Sequence, residues 1–138
     1  MAWLIYALAS ALAAAATAIL AKVGVEGVPS TLATAFRTTI VLVIAWSLVL
    51  VLGERQALLS LPRRSWVFLS LSGVATGLSW LAYFRALQLG PASRVAPIDK
   101  LSLPLTIVLA AVVLGESISW KVAAGVAMMT AGALLTLL

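Results

Sequence analysis

Hydrophobic and polar positions in this chain alternate over long stretches. Five apolar runs are separated by short connections: Trp3 to Ala21, Thr31 to Leu52, Ser65 to Leu89, Arg94 to Leu114 and Ser119 to Leu138. A helix of about 20 apolar residues, rising 1.5 Å per residue, crosses a hydrocarbon layer roughly 30 Å thick. Each connection carries helix-stopping residues: Gly24, Gly27 and Pro29, then Gly53 to Arg64, then Gly90-Pro91, then Gly115 to Ser117. The pattern predicts an all-α integral membrane protein with five transmembrane helices (3–21, 31–52, 65–89, 94–114 and 119–138) joined by short loops. Together they form a single transmembrane domain over 1–138. The first run lacks a basic leader and is long enough to span, so it is expected to be a retained helix rather than a signal peptide.

Composition supports the same class. The 138 residues are 64% hydrophobic and 9% charged, whereas a soluble domain carries about 25% charged residues. The formal charge of +5 is scattered along the chain, which suits membrane borders better than a nucleic-acid surface. There is no Cys and no His, which excludes disulfides, thiolate or imidazole metal sites and chemistry based on either side chain. With Glu26, Glu54, Asp99 and Glu116 as the full acidic set, no carboxylate metal cage and no resident cofactor are expected. No nucleophile–base set is present, so no enzyme is expected either.

Polar residues inside the runs are the informative ones, because an ionisable group in hydrocarbon costs roughly +2.5 to +3.5 kcal/mol on insertion scales. Asp99 and Lys100 lie side by side in the fourth run, between Pro97 and Pro104. Counting in from the helix ends puts Arg37 roughly 9 Å deep in the second helix, and Asp99 and Lys100 at a similar depth in the fourth. Arg85 lies about 6 Å inside the end of the third. All four fall on one side of the membrane. A faint internal repeat agrees: Val51-Leu52-Gly53-Glu54 recurs as Val113-Leu114-Gly115-Glu116, and the same interval separates Pro29 from Pro91, which sets Arg37 level with Asp99.

Helical spacing aligns Asp99, Ser102 and Thr106 on one stripe, Thr34, Arg37 and Thr38 on another, and Thr76, Trp80 and Tyr83 on a third. Ser93 is positioned to cap the fourth helix, with Pro97 tolerated near its first turn. Pro104 then lies in the interior, where its missing N–H leaves the Lys100 carbonyl free. Arg37, Arg85 and Lys100 against Asp99 leave a positive balance suited to an anionic or zwitterionic guest. Asp99 is the deep carboxylate and hence the candidate coupling group. Trp80 and Tyr83 are placed to form an aromatic wall, although core packing or an interfacial belt also explains them. Likewise the charge layer can be read as a lock on helix packing alone. Gly73 and Gly77 form a GxxxG pattern, and Ala123, Ala127 and Ala131 repeat small residues along the last helix.

Lys and Arg are slightly in excess on the face of the second and fourth loops (Arg55, Arg63, Arg64, Lys121), against Lys22 and Arg94 opposite. This favours a cytoplasmic N-terminus by a margin narrow enough to leave dual insertion open.

The passage from Tyr83 to Lys100, YFRALQLGPASRVAPIDK, with Ala33 to Arg37 and Leu114-Gly115-Glu116, resembles the EamA-type branch of the drug/metabolite transporter superfamily, in its single-repeat, five-helix form. The resemblance covers essentially the whole chain. It implies a multi-pass protein of the cytoplasmic (inner) membrane of a bacterium or archaeon, related to one half of ten-helix exporters whose halves are inverted. A single repeat would reproduce that architecture as an antiparallel homodimer. More distantly the chain is similar to the small multidrug resistance exporters. Their first-helix glutamate has no counterpart here, so their cation-antiport mechanism does not carry over. The expected function is secondary transport of a small polar or anionic metabolite, with Arg37, Asp99, Lys100, Arg85, Trp80, Tyr83 and Ser102 about the substrate. The alternative is a non-transporting membrane subunit or lipid-handling protein.

Overall fold

The computed structural model describes residues 2–138, and its secondary structure is helical. The described helices are α1 (Ala2–Gly24), α2 (Ser30–Val51), α3 (Arg55–Leu59), α4 (Arg63–Leu89), α5 (Ala92–Asp99), α6 (Ser102–Leu114) and α7 (Trp120–Leu135). Four stretches are long and apolar enough to cross a membrane: α1, α2, α4 and the combined segment Ala92–Leu114. The fifth expected helix, α7, is shorter, with 16 residues. Exposed Leu, Ile, Val, Phe and Trp side chains cover most of the helical surface, as they do when lipid rather than water is the outer solvent. An all-α membrane protein is therefore what the chain forms.

Local chemistry explains the boundaries. The repeated Val-Leu-Gly-Glu sequence ends a helix twice, with Gly53 at φ 72° and Gly115 at φ 70°. These left-handed conformations suit a residue without Cβ. At the first site the Glu54 N–H reaches the Val49 carbonyl (3.0 Å) and the Gly53 N–H the Leu50 carbonyl (3.3 Å), a Schellman closure. At the second the Glu116 N–H reaches Ala110 (3.2 Å), a wider turn. Ser119 caps α7 by accepting the Val122 N–H at 3.3 Å. The connection between α2 and α4, expected to be a plain loop, contains the short helix α3.

The chain divides into two compact units, Leu20–Gln88 and the chain up to Ile19 together with Leu89–Leu138. In the first, Leu87 is fully buried and Val25, Ala21, Thr34 and Phe84 are buried. In the second, α7 packs against α5 and α6.

Two expectations about the fourth helix are overturned. Ser93 does not cap it: the N-cap is Pro91, whose carbonyl accepts the N–H groups of Arg94 (3.0 Å) and Val95 (3.1 Å). Because α5 starts at Ala92, Pro97 falls inside it. There its ring crowds the Ser93 carbonyl without supplying an N–H. Pro104 is the third residue of α6, so its ring and missing N–H fall at the Lys100 carbonyl four residues back. The helix breaks there, at Lys100-Leu101.

Candidate functional site

Around that break the hydrogen bonding tightens to the i to i+3 pattern. Lys100 N–H donates to Pro97 (3.1 Å), Leu101 N–H to Ile98 (3.0 Å) and Leu103 N–H to Lys100 (2.9 Å). The Lys100 carbonyl is therefore not free, contrary to the expectation from Pro104, because the 3₁₀-like turn brings it an earlier donor. Neighbours in sequence do not share a face on an α-helix. At the end of α5, however, Lys100 Nζ lies 3.2 Å from Asp99 Oδ2. Lys100 is exposed and Asp99 half-buried. The pair cancels its own charge, which lowers the cost of holding both groups at membrane depth. Ser102 starts α6 and is exposed. Its carbonyl accepts the Thr106 hydroxyl at 2.9 Å.

The other unit holds Arg37, Arg85, Trp80 and Tyr83. Arg37 is the eighth residue of α2, roughly 10 Å from its start. Its Cζ lies 4.2 Å from the Trp80 ring centroid and 5.4 Å from that of Phe84. Trp80 and Phe84 are one turn apart on α4, so a single helical face presents both rings. The Tyr83 and Phe84 rings meet edge to face, with centroids 6.5 Å apart. A cation–π contact contributes about 2 kcal/mol when desolvated, against roughly 2.5–3.5 for placing the charge there. The rings offset much of that cost and leave a remainder.

Arg85 turns elsewhere. Its Nη1 donates to Gln88 Oε1 at 3.1 Å. The Gln88 amide then donates to the Val25 carbonyl (3.3 Å) and to the Val28 carbonyl. Lys22 Nζ donates to the Leu87 carbonyl at 2.6 Å, a cation at a helix C-terminus. These contacts tie the α1–α2 connection to the end of α4. Lys22, Gln88 and Phe84 were absent from the expected set. Their sequence signals are modest: a Lys in a last helical turn, an amide three residues after Arg85, and an aromatic four after Trp80.

Threonine stripes also resolve. Thr34, Thr38, Thr76, Thr106 and Thr130 each donate to the carbonyl four residues back, at 2.8–2.9 Å. Their hydroxyl protons are thus engaged within their own helices. Among the described residues, Gly73 and Gly77 have no neighbour within 4 Å of where a Cβ would stand.

With the interrupted fourth helix, the ion pair and the ring-backed arginine in place, the comparisons with known proteins become informative. Residues 1–138 match the EamA-like transporter family. The chain belongs to that family. A Sinorhizobium sp. protein described as "Uncharacterized transporter in cobO 3'region" is 49% identical over 133 residues, covering 96% of this chain and 94% of its own length. No solved structure matches the chain. The EamA chain is accordingly a multi-pass membrane protein of a transporter family.

Proposed function

We propose that this EamA chain is a secondary transporter of a small polar or anionic metabolite across the cytoplasmic membrane, working as a homodimer. The observation that carries the reading is the break at Lys100-Leu101, with an Asp–Lys pair at its edge, inside a segment otherwise long and apolar enough to span. Non-helical backbone at membrane depth is tolerated where it is covered by protein or lines a watery cavity, and transporters use such breaks for binding. Asp99 and Lys100 then contact the guest directly, with Asp99 as the coupling carboxylate. Ser102 lies at the α6 side of the break. Arg37, Trp80, Tyr83 and Arg85 are the candidate guest contacts of the other unit. Five helices enclose a path poorly by themselves, which supports two copies acting together.

Flux into proteoliposomes tests the proposal. Asp99→Asn and Lys100→Met are each expected to lower substrate uptake about ten-fold or more, the scale of one charge-assisted hydrogen bond, while the purified variants still elute as a folded dimer. Variants that fail to fold, beside a wild type that neither moves nor is stabilised by any metabolite, would establish the charge pair as a packing lock instead.

A further inference from the structure

Arg37 differs from the other membrane-depth cations in what surrounds it. Lys100 has the Asp99 carboxylate, Arg85 has the Gln88 carbonyl oxygen and Lys22 has the Leu87 carbonyl. Arg37 has the rings of Trp80 and Phe84, with Tyr83 near enough to act on its charge. A ring face interacts with the charge of a guanidinium but accepts none of its five N–H donors in their usual in-plane direction. Glu26 and Glu54, the carboxylates of that unit, form no ion pair among the described residues. The side chain is half-buried rather than extended into the open. Trp80 and Phe84 thus hold it at depth with no carboxylate of the described residues of its unit to neutralise it.

Resting on the transport reading, we propose that Arg37, seated on Trp80, is the receptor for an oxyanion group of the guest, a carboxylate or a phosphate. A planar guanidinium matches the two oxygens of such a group in a bidentate fork. The ring contact fixes the plane of the fork in advance, which reduces the ordering that binding would otherwise require. A neutral guest would leave the guanidinium charge without a counter-charge, and a cationic guest would be repelled. Lipid phosphate presents the same chemistry as a soluble metabolite, so the test must separate the two sources.

The test uses the full chain in phosphatidylcholine nanodiscs. Phenylglyoxal labelling of each arginine is followed by mass spectrometry in the presence of acetate, succinate, inorganic phosphate or the uncharged succinamide, at matched ionic strength. The expected result is protection of Arg37 by an oxyanion and not by succinamide, with Arg55, Arg63 and Arg94 labelled as before. Protection that appears only when phosphatidylglycerol is added to the nanodisc identifies lipid phosphate as the oxyanion source. Arg37→Lys keeps the charge but loses the fork, and is expected to weaken oxyanion-dependent thermal stabilisation about ten-fold in apparent affinity. Trp80→Leu is expected to weaken it while leaving Arg37 in place. Arg37 labelling that no oxyanion or anionic lipid alters, in the cooperatively folded wild type, overturns the proposal. Flux separates this outcome from failure of the transport reading. Uptake that survives in Arg37→Lys with undiminished anion preference removes the Arg37 role but keeps transport. Arg37-dependent binding without uptake of any bound oxyanion does the reverse.

Discussion

Gln88 uses both ends of its carboxamide. Its oxygen accepts from Arg85 and its nitrogen donates to the Val25 and Val28 carbonyls. Replacing it with Leu leaves two partly buried carbonyls without that donor. We expect a loss of roughly 1–3 kcal/mol in denaturant titrations in detergent, with faster proteolysis between Val25 and Val28. Gln88→Glu should do no better, because a carboxylate would face those carbonyls without a donor. Unchanged stability in both variants would show that the tie contributes nothing. Beside it, Leu87 is fully buried. Leu87→Ala is expected to cost about 2 kcal/mol, the low end of the range for such truncations. Lipid, unlike water, gives little penalty for exposing apolar surface, so the lost packing contacts carry the effect.

The break between α5 and α6 belongs to the scale of the element. Both prolines were visible in the sequence, and so was an interruption near Asp99 and Lys100. Which proline causes it was not, because both lie close to it. A helix proline acts on the turn before it: Pro97 meets the Ser93 carbonyl, whereas the Lys100 carbonyl stands four residues before Pro104. Pro104→Ala is therefore expected to restore regular helix across Lys100-Leu101 and slow amide exchange there, while uptake falls. Pro97→Ala, whose missing N–H faces the Ser93 carbonyl, should change exchange at Lys100-Leu101 little. Equal effects from the two would contradict this assignment. Gly115 makes a second test. A Cβ there has open space but would sit at φ 70°, so Gly115→Ala should cost about 1–2 kcal/mol through backbone strain alone.

At the scale of the whole molecule, the homodimer predicts about twice the 14.3 kDa chain mass by light scattering after subtraction of detergent. Chain mass alone would remove the dimer from the proposal. Reporters fused after Leu138 and read on both sides of the membrane test orientation. Signal on both sides supports an antiparallel pair, and signal on one side excludes dual insertion. Gly73 and Gly77, which have no close neighbour among the described residues, provide a milder probe. Gly77→Leu should leave the unfolding of the single chain unchanged, and a reduced dimer fraction would place that face between copies.

Long apolar runs, scarce charge and Gly/Pro punctuation were enough to determine an all-helical membrane protein and most helix limits. Spanning a bilayer requires every backbone group to be satisfied locally, so composition and length settle the architecture. The YFRALQLGPASRVAPIDK passage likewise carried the family. Tertiary structure alone decided what each charged residue touches. Arg37 rests on Trp80 and Phe84, Arg85 turns to Gln88, and Asp99 takes its own neighbour Lys100. Depth along a helix can be counted from sequence, but the rotation of a face and the reach of a long side chain depend on which helix packs beside it.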